Sequence, residues 1–289
     1  MPELPEVEVL ARHLRPLVKN KTIRAVEVRR ARVIRPTSER TLKNTLTGAE
    51  LISLERRGKY LIFKLHKPGR REPVKLLGHL GMTGRMFLAP KNAALPKHAA
   101  VVLDLGRERF VFEDTRYFGR FTLDVSSLAK LGPEPLSKEF SAKHLARELA
   151  KSRQPIKVKL LDQSLVAGVG NIYASEALFR ARISPLSPAN KLTSAQNLRL
   201  VKTIRQVLAE AIRFGSTVPL NHGQTGDSDG LFYFGRAEGA PDYYEERLKV
   251  YDRAGRSCRR CGHAIKRIVQ AARSTFYCPR CQPRLRLSA

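Results

Sequence analysis

Val7, Leu10, Leu14 and Leu17 recur at three- and four-residue steps directly after Pro5, which predicts a helix with one apolar stripe. Proline suits the opening turn, where its missing N–H would be unpaired in any case. The period then shortens. Residues 59–65 alternate imperfectly, and 101–105 and 110–112 face each other across Gly106-Arg107-Glu108 as a hairpin. The chain to about residue 125 therefore reads as mostly β with one helix packed on it. LGPEPL at 131–136 breaks regular structure and predicts a linker over 126–140. Helical spacing dominates beyond it. Ser141 caps a helix through Leu149, and 171–180 form another. Thr193 with Gln196 makes a capping box before Leu198, Val201, Ile204, Leu208 and Ile212, and Gly215 closes that helix. From about 215 to 245 the chain is rich in Gly, Asp and Tyr without a period, and reads as a long loop of the kind that often carries function.

Charge changes the picture most. Fifty-four Lys and Arg against 26 Asp and Glu give a formal net charge of +28, spread along the chain, so the folded body itself is basic. Such a field selects a polyanion, with backbone phosphates as the usual target. No apolar run reaches bilayer length, and no segment joins a basic face to a strongly apolar one. The start, MPELPEVEVL, lacks the basic and apolar regions of a secretory signal, so a cytoplasmic, nucleoid-associated protein is expected.

The cysteines are Cys258, Cys261, Cys278 and Cys281, all near the C-terminus, which argues against a distributed disulfide framework. Two C-x2-C pairs separated by sixteen residues supply four thiolates for one tetrahedral Zn²⁺. Four protein ligands leave no open coordination position, so the metal is structural. Lys266, Arg267 and Arg273 between the pairs would ride on a short hairpin suited to a DNA groove.

Further motifs lie in a fixed order. They are Pro2-Glu3-Leu4-Pro5-Glu6, Arg57-Gly58-Lys59-Tyr60, the run from His79 through Met82 to Gly84, and Asp114-Thr-Arg116-Tyr-Phe118-Gly119. LGPEPL, the run from Gly168 through Asn171 to Glu176, and Arg273-Ser-Thr-Phe-Tyr-Cys278 follow. In this order, over nearly the whole chain, they resemble the bacterial formamidopyrimidine-DNA glycosylase family. The endonuclease VIII branch is similar, but it opens with a glycine where this chain has Leu4. The resemblance implies an α+β multidomain protein. A catalytic β-sandwich with a packed helix would span 1–125. A helix–two-turn–helix domain would span 141–245, with a lesion-recognition loop at about 216–244, and a four-Cys zinc ribbon hairpin would span 246–289.

It also implies a bifunctional DNA glycosylase and AP lyase of base excision repair, acting on 8-oxoguanine and formamidopyrimidines and nicking the strand by β,δ-elimination. Pro2 is chemically apt. Trimming of Met1 exposes a secondary amine, and terminal amines have pKa values of about 7.7–8.0, so part is an unprotonated nucleophile at neutral pH. Attack on the sugar C1′ would displace the base and leave an iminium. By resemblance Glu3 is the general acid and base, while Glu6 is structural or supporting. Lys59 supplies a cation near the phosphate and the opened sugar, and Arg273 contacts the scissile phosphate.

Excision requires the base to leave the stack. Met82, Arg116 and Phe118 match the family's void-filling trio, an apolar wedge with a donor for the orphaned base. Asn171, His79, His98, Arg153, Lys157, Tyr251 and Arg267 are phosphate candidates. The expected partner is damaged double-stranded DNA, bound by a monomer without a membrane or small-molecule cofactor. Two departures from the pattern stand out. The stretch from His222 to Tyr244 is enlarged, which opens oxidised pyrimidines as alternative lesions, and Ala99-Ala100 replace usual polar residues after His98. Two other functions fit the same charge: a catalytically silent damage-binding paralogue, and a zinc-ribbon RNA-binding protein.

Overall fold

The computed structural model describes residues 2–215 and 247–284; the predicted lesion-recognition segment, 216–244, lies outside them. The described chain forms two compact units, residues 2–129, and 130–215 with 247–284.

The first unit opens with α1 (Leu4–Val18), which buries Val7, Leu10, Leu14 and Val18. Leu17, read as part of this stripe, is 38% exposed because it falls at the stripe's edge, while Val18 lies near its centre. Two antiparallel sheets follow. One has the order β2 (Glu50–Arg57), β3 (Tyr60–His66), β4 (Val74–His79), β8 (Arg120–Thr122), and the other β1 (Ala25–Val28), β6 (Ala99–Asp104), β7 (Glu108–Asp114), β5 (Gly84–Pro90). The expected hairpin forms, but with a tighter turn, because Glu108 joins the strand: Val101 pairs with Phe112 and Leu103 with Phe110. Leu54, Phe63 and Leu76 of one sheet share a core with Met86, Val101 and Phe110 of the other, which makes a sandwich. Phe63 meets Phe110 edge-on at 5.5 Å. A second helix, α2 (Glu39–Leu46), was not predicted. Its apolar stripe is only Leu42 and Leu46, too short for a period, yet Ser38 caps it through the Thr41 N–H at 3.1 Å.

The second unit is helical. LGPEPL, predicted as a linker, is bonded into it: the Gly132 N–H donates to Gln163 O and the Ala167 N–H to Pro133 O. Ser141 caps α3 (Ala142–Leu149) through the His144 N–H at 3.1 Å. Next come α4 (Ile156–Leu160), α5 (Asn171–Ala181) and α6 (Ser194–Gly215). Thr193 and Gln196 close the expected capping box at 2.8 and 3.2 Å. Leu198, assigned to the α6 stripe, is 63% exposed, because Leu200, Ile204, Val207 and Leu208 define a stripe facing away from it. The zinc ribbon carries β9 (Lys266–Gln270) paired with β10 (Arg273–Tyr277), as the cysteine spacing implied. Among the described residues, no helix is long and apolar enough to cross a membrane.

Candidate functional site

Pro2 and Glu3 are both buried at the head of α1. Glu3 is the N-cap, with extended backbone, and closes a capping box with Glu6, whose carboxylate accepts the Glu3 N–H at 2.7 Å. The box fixes the backbone on which Pro2 is mounted and gives Glu6 a structural part. One turn on, Glu8 accepts from Arg56 at 2.7 Å and Arg12 at 2.8 Å. Burial pushes the Glu8 carboxyl up, but the two guanidiniums outweigh it and hold the group below the ordinary carboxylate value. Arg56 also donates to Gly58 O at 3.1 Å. One guanidinium thus joins α1 to the β2–β3 turn, which carries the buried Lys59.

His79 ends β4 opposite Tyr60, with ring centroids 4.8 Å apart. Burial, then the charges of Lys59 and Arg120, lower its pKa to about 4 against the opposing pull of Asp114. The ring is therefore neutral at physiological pH. Its Nδ1 accepts the Gly81 N–H at 3.2 Å, which leaves the hydrogen on Nε2 as a donor. Because the folded value lies below the unfolded one of about 6.5, the unfolded chain takes up the proton first as pH falls. The His79 contribution to stability should be complete above about pH 6.5 and decline towards pH 4, with a loss of about 2 kcal/mol by pH 5. The difference between urea midpoints at pH 7 and pH 5 should shrink in His79→Gln. An undiminished difference would contradict this reading.

Met82 and Phe118 are 39% and 44% exposed, so neither is a core residue. The loops that carry them interlock around Asp114, a fully buried carboxylate whose part the sequence alone does not show. Its Oδ1 accepts from the Thr83 hydroxyl at 2.6 Å and the Arg116 N–H at 3.1 Å, and its Oδ2 from the Gly119 N–H at 2.7 Å. The bond to residue 116 is an Asx turn, a signal that the Asp-Thr-Arg-Tyr-Phe-Gly string does carry. Glycine is required at two contacts. A Cβ on Gly81, at φ +61°, would lie 2.6 Å from Gly119 N, and one on Gly119 would lie 2.7 Å from His79 O. Arg116 lies over the Phe118 ring at 4.8 Å, and Arg32 of the β1–α2 connection over the same ring at 5.8 Å. Asp114→Asn would replace one acceptor oxygen by an NH2 donor and set it against at least one of the three donors. We expect it to cost about 2–3 kcal/mol of stability in urea unfolding and to weaken duplex binding about tenfold. Unchanged affinity would mean that Asp114 does not organise the two loops for binding.

In the second unit, Lys157 was expected to present its charge to phosphate, but it is fully buried. Its ammonium donates to the Asn171 side-chain carbonyl, to Thr275 Oγ1 at 2.8 Å and to Ser274 O at 3.1 Å. Asn171 Nδ2 donates to the same Ser274 carbonyl at 2.9 Å. Lys157 and Asn171 therefore fasten α4 and α5 to the strand that begins at Arg273. On the hairpin, Arg267 and Arg273 are exposed, and Arg267 Nε donates to Ser274 Oγ at 2.9 Å. Arg153, exposed in the turn before α4, joins none of these bonds among the described residues. Tyr251 packs edge-on against Phe276 at 5.1 Å. A second unassigned carboxylate, the fully buried Glu176 of α5, accepts the N–H groups of Lys249, Val250 and Tyr251 at 2.8 to 3.0 Å and so sets the approach to the ribbon.

The four cysteine sulfurs all lie within 4.8 Å of one another. Burial and then the neighbouring cysteines push the Cys281 thiol up to about 12. Four thiols this close cannot ionise together without a cation, and an all-sulfur set of this size fits one tetrahedral Zn²⁺. Among the described residues, the ribbon's own core holds little besides Val250, Ile265, Phe276 and the cysteines, with Phe179 of α5 against them.

Three family descriptions match the chain in order. They are the formamidopyrimidine-DNA glycosylase N-terminal domain over residues 1–121, the formamidopyrimidine-DNA glycosylase H2TH domain over 131–220, and the zinc finger found in FPG and IleRS over 257–284. The chain is 41% identical over 289 residues to the formamidopyrimidine-DNA glycosylase of Desulfitobacterium hafniense, a match covering 98% of this chain and all of that one. Two solved Lactococcus lactis Fpg complexes are similar in structure. The one with FAPY-dG-containing DNA has a TM-score of 0.82 at 32% identity, covering 97% of this chain and 100% of that one. The one with oxidised-pyrimidine-containing DNA has a TM-score of 0.84 at 33% identity, covering 98% and 100%.

Proposed function

The chain belongs to the formamidopyrimidine-DNA glycosylase family, and from that premise we propose that it is a DNA glycosylase of base excision repair with an AP lyase activity supplied by its own N-terminal amine. With Met1 removed, the lone pair of Pro2 bonds to C1′ of the damaged nucleotide, and the base departs with the electrons of the glycosidic bond and takes up the proton that the Pro2 nitrogen gives up. Glu3 delivers a proton to O4′ as the sugar opens, which leaves an iminium. The iminium acidifies the C2′ hydrogen. Its loss expels the 3′ phosphate, and a second elimination expels the 5′ phosphate. Lys59 places a cation by the opened sugar, and Arg273 steadies the scissile phosphate.

The observation that carries this reading is the buried Pro2–Glu3 head of α1, fixed by the Glu3–Glu6 box and linked through Glu8 and Arg56 to the turn of Lys59. By the same reading, Met82, Arg116 and Phe118 fill the vacated stack, while His79, His98, Asn171, Tyr251, Arg153 and Arg267 take phosphates or orient groups that do. Lys157 acts through Asn171. Oxidised purines and formamidopyrimidines are the proposed substrates. The likeness to a relative solved with oxidised-pyrimidine DNA favours that lesion class as a second.

A panel of duplexes, each with one lesion, tests the assignment. Release of 8-oxoguanine and formamidopyrimidine should leave a gap with phosphate at both ends. A strand that stays intact after base release would remove the lyase step, and absence of any base release would remove the enzyme.

A further inference from the structure

We propose that Tyr117 is a positioning residue, held by Arg30, that orients the His98 imidazole so that its Nε2–H serves a DNA phosphate. The inference rests on the reading of His98 as a phosphate contact. Three residues far apart in sequence form one hydrogen-bonded chain. Arg30, exposed in the β1–α2 connection, donates from Nε to the Tyr117 hydroxyl oxygen at 3.0 Å, and its guanidinium lies 5.6 Å from the Tyr117 ring centre. The same hydroxyl lies 3.2 Å from His98 Nδ1.

The direction of the protons follows from charge. A guanidinium is only a donor, so the phenol oxygen accepts from it. A cation bonded at that oxygen makes the hydroxyl a better donor and a poorer acceptor, as in any polarised hydrogen-bond chain. The Tyr117 O–H therefore points to Nδ1 of His98, which accepts it, and Nε2 keeps the ring's hydrogen. Rotation of the ring would present a lone pair instead, which repels a phosphate oxygen. The His98 backbone is fixed separately, since its carbonyl accepts the Asp114 N–H at 3.1 Å.

The backbone supports a dedicated placement of the tyrosine. Tyr117 has φ +53°, in the left-handed region that a side chain this bulky enters only at a cost. That conformation turns the ring towards Arg30 and His98 while its neighbours Arg116 and Phe118 project with the wedge. Tyr117 thus links the strand-opening loop to a phosphate contact.

The test uses the full-length, zinc-loaded protein and a lesion-bearing duplex. His98→Ala should weaken binding about tenfold, Tyr117→Phe about fivefold, and the double variant no more than His98→Ala alone. The salt slope of the binding constant should be unchanged in Tyr117→Phe, since a neutral donor releases no counterion. Arg30→Met should behave like Tyr117→Phe; a slope reduced by about 0.9 would show that Arg30 itself touches phosphate and would break the first link. In protein labelled with nitrogen-15 at histidine, His98 Nδ1 should be an unprotonated, hydrogen-bonded nitrogen, and Tyr117→Phe should move its resonance to the unbonded position. A protonated Nδ1, a resonance that does not move, or effects of Tyr117→Phe and His98→Ala that simply add, would overturn the proposal. Should His98→Ala itself bind as the wild type does, the phosphate role of His98 falls, and the relay falls with it.

Discussion

Replacing Pro2 by Gln should abolish strand nicking and reduce base excision by about 10³-fold or more, while lesion-duplex affinity changes by no more than about twofold. A large second residue keeps Met1 in place, so the first amine sits one residue, about 3.6 Å, further along the backbone. A displacement of that size removes a near-attack geometry, in which even about 1 Å costs about 10²-fold. Binding should survive because the basic surface, the wedge loops around Asp114 and the ribbon are untouched. Intact mass must show the retained methionine, and single-turnover excision gives the rate. Near-normal excision with Met1 present would contradict covalent catalysis by residue 2. The capping box of Glu3 and Glu6 should persist in the variant, since neither of its bonds involves the replaced side chain.

Removing zinc should have the second largest effect. The ribbon's few apolar residues cannot hold a fold of this size unaided, and no Asp or Glu lies between 253 and 284 to offset its Arg and Lys residues. Metal binding to such sites contributes about 10 kcal/mol or more to folding. Chelation should release one zinc per chain, dissolve the β9–β10 pairing and weaken duplex binding at least about 10²-fold, because Arg267 and Arg273 lose their platform. Loss of Ser274 O and Thr275 Oγ1 as acceptors would also strip the buried Lys157 ammonium of two partners. Urea unfolding of the sandwich should be unaltered. Duplex binding by metal-free protein within about threefold of the native value would refute this account of the ribbon.

Local patterns were readable wherever one residue type meets one physical need. The Ser141 cap, the Thr193–Gln196 box, the hairpin of β6 and β7 and the four-thiolate cluster all arise from neighbours in sequence or from a metal's fixed demand. Tertiary decisions were hidden. Leu17 and Leu198 fit the helical period but lie off the buried stripe, which only the packed partner defines. Lys157 reads as a surface cation until the fold brings Asn171, Ser274 and Thr275 around it. Asp114 and Glu176 stand inside readable motifs, yet their parts depend on the Thr83 hydroxyl of another loop and on amides more than seventy residues away. Arg30 gave no signal at all, since its partner Tyr117 lies 87 residues on.

Borohydride added to the wild-type protein during reaction with an 8-oxoguanine duplex, followed by digestion and mass mapping, tests the covalent mechanism most directly. A reduced sugar should be attached to the peptide that begins at Pro2, through its ring nitrogen. An adduct on Lys59 or any other lysine, or base release with no trapped species, would contradict it.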